Sequence, residues 1–501
     1  VPTTVSEDLV GAQAPDRRRY LILAICCMSL FIVGLDNTIV NVALPSIRHE
    51  LHASVPQLQW TIDAYTLVLA SLLMLSGSMA DRFGRARVFK LGLVLFTLGS
   101  LLCSLAPSVQ LLIVFRMVQA VGGSMLNPVA MSIIRNTFTD ARERAQAIGL
   151  WAGVIGLSMA MGPVLGGALV DAGSWRSVFW VNVPIGLLAA ALTWRFVPES
   201  KAPRARRIDP VGQLLVIALL ASTVYAIIEG PSHGWLSGEI LGLFVLAALA
   251  VGALVRYERR RVDPLIDVRF FASVPFSGAT VIAIAAFTGL GAFLFLNTLY
   301  LQESRGLSPF HAGLYTLPMA AITVVVGPLT GRLVGARGAR PSLVIGGGAI
   351  LLSGLMLTGL TETTSPAWLF AGYVVFGIGF GSVNPPITNT AVSGMPPAQA
   401  GVASAVASTS RQVGLSLGVA LAGAIAVVAT TDPAVLATGT HPGWWLVAGC
   451  GVLIVVLGFL TTTRWALNTA TATAARLCED DPPAAPLGAP VSPRETPLVV
   501  R

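Results

Sequence analysis

Three ionisable side chains stand where charge is costly. Asp36, Asp63 and Arg116 fall inside long apolar runs, and a charged group in the hydrocarbon core of a membrane must be paired, hydrated or neutralised by a proton. A carboxylate so placed can take up and release a proton, or hold a cationic group of a ligand. An arginine, which keeps its charge, acts as a fixed counter-charge. At roughly 1.5 Å per residue, Asp36 lies ~17 Å, Asp63 ~10 Å and Arg116 ~11 Å below the outer ends of their helices. All three are therefore expected to share the outer half of the bilayer and to meet in one cavity. The plainer alternatives are a structural ion pair between Asp36 and Arg116, and a near-surface position for Asp63. Of the 24 Asp and Glu residues no others lie deep; Glu229 and Glu303 sit near helix ends. The five histidines are expected in outer loops, so a buried proton carrier has to be a carboxylate. The five cysteines show no metal or disulfide spacing, and no metal site is expected.

These side chains need helices to carry them. The 501 residues are 54% hydrophobic and 11% charged, with a mean hydropathy of +0.76, whereas soluble domains carry roughly a quarter charged residues. An all-α polytopic membrane protein follows, each crossing taking about 20 apolar residues. Fourteen spans are expected: Tyr20–Ile47, Pro56–Ala80, Val88–Leu105, Val109–Phe138, Gln146–Val170, Val178–Val197, Val211–Ile228, Ile240–Tyr257, Phe276–Leu301, Ala312–Val334, Ser342–Leu360, Trp368–Val392, Val402–Thr430 and Trp444–Thr463. Span 1 follows Arg17, Arg18 and Arg19 and is far longer than a signal-peptide core, so it is expected to remain as an anchor. Cytoplasmic loops retain Lys and Arg. With both termini inside, only Arg48, Arg176 and Arg305 of the 32 basic residues fall outside, while Arg116 and Arg411 lie within helices. The net charge of +8 is thus a matter of topology, and nucleic acid is not an expected partner. Arg greatly outnumbers Lys, which fits a high-GC bacterium and a bacterial cytoplasmic membrane.

The chain echoes itself. Gly77-x-x-x-Asp81-Arg82 before span 3 returns as Gly327-x-x-x-Gly331-Arg332 before span 11. Asn127-Pro128 returns as Asn384-Pro385, and Ala145-Gln146-Ala147 as Ala398-Gln399-Ala400. Each echo is displaced by eight spans, so two homologous six-span halves are expected with two spans inserted between them. The expected division is 1–199 for the N-terminal bundle, 200–270 for linkers and inserted spans, 271–464 for the C-terminal bundle and 465–501 for a disordered cytoplasmic tail.

Two segments carry backbone rather than side-chain chemistry. Gly77-Ser-Met-Ala-Asp81-Arg82-Phe-Gly84-Arg85-Ala-Arg87 packs charges and glycines into a tight connection between spans 2 and 3. In span 5, Gly153, Gly156, Gly162, Pro163, Gly166 and Gly167 allow close backbone approach, and Pro163 removes a helix hydrogen bond, so the segment can bend or slide. Simple close packing is the alternative reading of span 5.

These segments, in this order, resemble the fourteen-span drug:proton antiporters of the major facilitator superfamily. The Gly77–Arg87 loop matches that superfamily's signature between spans 2 and 3. Leu35-Asp36-Asn37-Thr38-Ile39-Val40-Asn41-Val42-Ala43-Leu44-Pro45 resembles the branch's span 1 motif. Arg116-x-x-Gln119-x-x-Gly122 resembles the span 4 motif, with Ala120 in place of the usual Gly; Gly162-Pro163-x-x-Gly166-Gly167 resembles the antiporter motif; and Trp175-Arg176 with Asn182-Val183-Pro184-Ile185-Gly186 matches the start of span 6. The resemblance implies a major facilitator fold and export of amphipathic drugs or antibiotics by alternating access, driven by inward proton flow without a cofactor. By carry-over, Asp36 and Asp63 bind protons or a cationic substrate group and Arg116 assists. The span 5 glycines form part of the moving interface, and Gly77, Asp81, Arg82, Gly84 and Arg85 form a conformational latch. Asp81 is then expected to brace the bundles against the N-terminus of span 13. Further acids expected for dicationic substrates are missing from the C-terminal half, which favours monocationic, zwitterionic or neutral ones, and a monomer is favoured. A dedicated exporter of one endogenous metabolite or self-resistance antibiotic is the alternative within transport, and a non-transporting receptor or scaffold the alternative outside it. An enzyme is not expected, and an ATP-driven pump is excluded because neither lysine, Lys90 or Lys201, sits in a phosphate-binding loop.

Overall fold

The computed structural model describes residues 16–202, 208–261, 264–392, 400–429 and 435–480, and these are helical with no strand among them. The helices are α1 (Asp16–Leu51), α2 (Val55–Phe83), α3 (Arg85–Ser104), α4 (Val109–Thr137), α5 (Ala141–Ala172), α6 (Ser177–Trp180), α7 (Asn182–Phe196), α8 (Pro210–His233), α9 (Gly238–Glu258), α10 (Val274–Leu299), α11 (Pro309–Arg337), α12 (Ala339–Leu357), α13 (Pro366–Val392), α14 (Ala400–Ala429), α15 (Leu436–Gly439), α16 (His441–Leu460) and α17 (Arg464–Asp480). A 3-10 turn at Val268–Ala272 precedes α10, and a π-turn at Tyr300–Ser304 extends it. Among the described residues, 13 helical segments are long and apolar enough to cross a membrane, α6 and α7 counting as one. The remaining expected span, 402–430, falls on α14, itself 30 residues long.

Local sequence sets the helix ends. Ser54 opens α2 with a reciprocal cap: its hydroxyl accepts from Gln57 N, and the Gln57 side chain accepts from Ser54 N at 2.9 Å. The side chains of Asp140, Asp209, Ser237, Ser273 and Ser308 accept from backbone N–H groups at the starts of α5, α8, α9, α10 and α11.

Within the first half α1 packs on α5, α2 on α4, and α3 on α4 and α7; within the second, α10 packs on α14 and α16, α11 on α13, and α12 on α13 and α16. The halves meet along two seams, α5 against α11 and α2 against α14. Small residues set how closely the helices approach: a Cβ on Gly122 would lie 2.2 Å from Phe96 N in α3, and one on Gly313 would lie 2.3 Å from Pro163 O in α5. Pro128 in α4 and Pro385 in α13 repeat one another inside their helices, and the preceding Asn127 and Asn384 both leave Oδ1 unpartnered. The echo Ala145–Ala147 lies in α5, whereas Ala398 and Gln399 lie outside the described residues.

α8, on which the first of the two spans expected between the halves falls, packs against both halves. It lies on both α2 and α14 and so covers their seam, through Val224, Ile227 and Ile228 packed with Ala420. Gln213 Nε2 donates to Ser71 O at 2.6 Å, and Trp60 Nε1 donates to Glu229 Oε1 at 2.9 Å.

One expectation is corrected. The tail expected to be disordered from 465 instead forms α17 as far as Asp480; residues 481–501 lie outside the described residues. Ala466, Ala470, Thr473 and Leu477 recur at helical spacing and are buried, and Val274 N donates to Thr469 Oγ1 at 3.0 Å, docking α17 at the start of α10. The Ala/Thr composition concealed this stripe.

Candidate functional site

Asp36 of α1 is fully buried, at 0% exposure, and Arg116 of α4 is at 1%. Their ion pair joins Arg116 Nη1 to Asp36 Oδ2. The other carboxylate oxygen accepts from Gln119 Nε2 at 2.9 Å and from Asn182 Nδ2 at 3.3 Å. Gln119 is itself held, accepting from Arg116 Nη1 at 2.7 Å and donating to Ser100 Oγ of α3 at 2.7 Å. Arg116 Nε donates to Thr61 O of α2 at 3.0 Å, and the guanidinium lies 4.1 Å from the Tyr65 ring centroid and 5.7 Å from that of Phe179 in α6. Every helix of the first half except α5 thus contributes to one network around one carboxylate. A buried charge pair is tolerable only when its remaining donors and acceptors are met, and here the amides of Gln119 and Asn182 meet them. The Gly122 contact between α3 and α4 brings Gln119 within reach of Ser100.

Asp63 does not join this network. It is equally buried but lies on the other side of α2, toward Ser416 of α14. Its Oδ1 is 3.4 Å from Thr66 Oγ1, which donates to it, and its Oδ2 accepts no hydrogen bond. The expectation of one shared cavity therefore resolves into two places: a saturated pair inside the first half, and an acid with an open acceptor at the seam between the halves. On the same seam Gln59 Nε2 donates to Val419 O at 3.3 Å and Ala420 O at 2.7 Å, and a Cβ on Gly423 would collide with Gln59 at 2.2 Å.

The span 5 motif lies on the other seam. A Cβ on Gly162 would lie 1.9 Å from Thr38 Oγ1, one on Gly166 2.7 Å from Ile39 Cγ1, and one on Gly167 2.4 Å from Pro309 O of α11. Gly153 instead faces open space. Pro163, lacking an N–H, frees the carbonyl of Met159, and Thr38 Oγ1 donates to it at 3.5 Å. The motif thus touches α1 within a turn of Asp36 on one side and α11 on the other.

The Gly77–Arg87 segment is clasped by the chain following α7. Arg85 Nη2 donates to Asp81 Oδ1 at 3.0 Å, Ala202 N donates to Asp81 O at 3.2 Å, and Arg85 N donates to Ser200 O at 2.9 Å. Gly84 has φ +117° and no room for a Cβ, which would lie 2.5 Å from Glu199 Oε1. Glu199 accepts from Ala86 N at 3.1 Å and Arg87 N at 3.2 Å, capping α3 where Gly84 cannot. Gly77 faces open space and Arg82 is exposed, 5.9 Å from the Phe83 centroid. The partner expected for Asp81, the start of span 13, adjoins residues 393–399, which lie outside the described residues. Sequence reasoning passed over Glu199, Ser100 and Thr61. An acid beside Pro198 at a span end was the one available signal, for Glu199.

At the face away from Asp16 the halves are joined. Arg48 Nη1 pairs with Glu303 Oε2 at 2.8 Å, Gln302 Nε2 donates to Val42 O at 2.9 Å, and Asp171 Oδ2 accepts from Ser308 Oγ at 2.8 Å and Phe310 N at 3.1 Å.

Comparisons with known proteins agree with this architecture. The Major Facilitator Superfamily profile matches residues 26–419. The multidrug resistance protein Stp of Mycobacterium tuberculosis (strain CDC 1551 / Oshkosh) is 37% identical over 421 residues, covering 83% of this chain and 78% of that one. The tetracenomycin C resistance and export protein of Streptomyces glaucescens is 34% identical over 403 residues, covering 79% and 74%. Among solved structures, a bacterial homologue of the human lysosomal transporter Spinster, inward-facing and occupied, superposes with a TM-score of 0.64 at 16% identity, covering 93% of this chain and 99% of the other.

Proposed function

The chain belongs to the major facilitator superfamily, and from that premise we propose that it is a proton-coupled antiporter that exports amphipathic drugs or antibiotics by alternating access. It works in a bacterial cytoplasmic membrane with both termini inside, as a monomer, drawing on the proton gradient and needing no cofactor. The names of the relatives, a multidrug resistance protein and a resistance and export protein, support the substrate class.

The observation that carries the reading is the Asp36–Arg116 pair. Each partner of Asp36 is a donor: Arg116, Gln119 and Asn182. Proton uptake at Asp36 turns one of its acceptor oxygens into a hydroxyl and breaks that match, so the protonated and charged states favour different packings of α1. Thr38 and Ile39, on the next turn of α1, bear on Gly162 and Gly166 of α5, and α5 bears on α11. A change at the carboxylate therefore has a contiguous path to the seam between the halves. Asp63, with its free acceptor on the second seam, serves a cationic substrate group or a second proton. The contacts Arg48–Glu303 and Asp171–Ser308 belong to the state closed toward the outside, and Gly77–Arg87 acts as the cytoplasmic latch.

The test is ethidium transport into inverted membrane vesicles under an imposed proton gradient. The native chain is expected to accumulate ethidium; Asp36→Asn and Arg116→Ala are expected to lose gradient-driven accumulation. Uphill transport by Asp36→Asn at the native rate overturns the assignment of coupling to this carboxylate. A dedicated exporter of a single product is the second reading, favoured by the tetracenomycin relative; a native chain that moves no ethidium but moves a compound made by its own host would select it.

A further inference from the structure

The membrane-spanning part holds two deep arginines, and their surroundings differ in kind. Arg116 has a carboxylate, an amide oxygen, a backbone carbonyl and a close aromatic ring. Arg411, on α14, has no carboxylate within ion-pair distance among the described residues. Its Nη2 donates to Thr388 Oγ1 of α13, its Nε is buried without a partner, and the nearest ring, Phe287 of α10, is 6.0 Å away. A guanidinium keeps its charge, and an unpaired cation within a span is costly; one hydroxyl and a distant ring offset little of that.

Its neighbours are unsatisfied as well. Thr409 Oγ1 and Gln412 Oε1, on one face of α14, are buried and make no hydrogen bond. The register of the seam is fixed by Gln59 against Val419 and Ala420 and by Asp63 against Ser416. Arg411 therefore lies ~7.5 Å along α14 from the level of Asp63, toward the face bearing Asp16. It is partly exposed, and Thr388 and Asn389 beside it are exposed. An acid and a cation, neither with a counter-charge among the described residues, thus stand along one seam, with Gln412 between their levels.

We propose that Arg411 is the anion subsite of the transport path, taking a carboxylate, sulfonate or phosphate-ester group of an amphipathic substrate whose apolar body lies against Phe287. The Thr388 hydroxyl, beside the guanidinium, orients the anion by donating to it, and Asp63 receives a cationic group where the substrate is zwitterionic. This rests on the reading of the α2/α14 seam as part of the export path, and adds compounds carrying an acidic group, zwitterions among them, to the amphipathic cations that path takes.

The experiment uses the purified full chain in phosphatidylcholine nanodiscs with two fluorescent probes that differ in one group, dansylglycine, which carries a carboxylate, and dansylglycinamide, which does not. Protein-free nanodiscs supply the background for partition into lipid. The native chain is expected to bind dansylglycine about tenfold or more tightly, as a charge-assisted hydrogen bond implies. Arg411→Lys is expected to keep most of that preference and Arg411→Gln to bring the ratio near one. A native ratio near one, no binding of either probe, or an unchanged ratio in Arg411→Gln overturns the proposal. If Arg411→Gln does not fold, the native ratio alone decides. The ethidium assay separates this from the export reading: a chain that exports ethidium yet shows a ratio near one loses only the anion subsite, and a chain with the preference but no export loses only the export reading.

Discussion

Replacing Asp36 by Asn should destabilise the protein far more than a one-atom change suggests, and a second substitution should undo most of the damage. All three groups facing Asp36 are N–H donors. An amide offers them one acceptor oxygen and presents its own NH2 to the rest, while Arg116, at 1% exposure, loses its counter-charge. Removing one partner of a buried pair costs about 3–5 kcal/mol. Because Gln119 Oε1 and Thr61 O still accept from Arg116, the lower end of that range applies. Arg116→Gln alone should cost less, since a carboxyl left without its cation can take up a proton. In Asp36→Asn with Arg116→Gln neither buried charge remains. The coupling between the sites is then about 2–3 kcal/mol. The assay is unfolding of the four proteins of the cycle in detergent, by titration with dodecyl sulfate followed through tryptophan fluorescence. If the two single losses simply add in the double variant, Asp36 and Arg116 do not act as a pair, and the account of the network is wrong. Gradient-driven export should be absent in the double variant even where its stability returns.

Further outcomes follow from other contacts. Gly162→Ala drives a methyl to 1.9 Å from Thr38 Oγ1; it should cost about 1–3 kcal/mol and slow ethidium export, and adding Thr38→Ala should restore part of both, read from melting temperature and vesicle uptake. Gly84→Ala places a side chain at φ +117° against Glu199 and should cost about 1–3 kcal/mol, read by the same detergent titration. Glu199→Ala removes the acceptor for Ala86 N and Arg87 N; a loss of about 1 kcal/mol is expected, with faster hydrogen exchange at the start of α3. Arg48→Cys with Glu303→Cys, joined by a short bifunctional methanethiosulfonate linker that spans the gap the two long side chains now fill, should stop export, with reduction restoring it; export unaffected by a complete cross-link would show that this contact does not open in the cycle.

Depth was legible in the sequence, and direction was not. Long apolar runs and charged loops placed the spans to within a few residues, and Asp36 and Arg116 were matched because both lay deep with few other charges to choose from. The position of a residue along a helix axis follows from a fixed rise. Its direction around the axis depends on which neighbours the helix finds. Asp63 illustrates the difference: Tyr65, two positions on and about 200° round α2, faces Arg116, so Asp63 faces away from it and toward α14. Gln119 was visible within a motif, but its hold on Ser100 depends on α3 and α4 touching at Gly122. The clasp on Gly84 depends on residues more than a hundred positions away, and α17 was hidden because Ala and Thr read as low complexity until their spacing is taken three and four at a time.

The position of α8 bears on which side chains meet lipid. Two related bundles joined alone would present the bilayer with two equivalent clefts. The seam of α5 with α11 carries no such cover among the described residues, and Leu157, Met161, Val324 and Val325 are exposed there. At the other cleft α8 lies over the seam, bonded to α2 through Trp60 and Gln213. An apolar molecule dissolved in the membrane thus finds one flank shuttered and one unshuttered. With α8 over one seam only, the molecule is one-sided toward its surroundings.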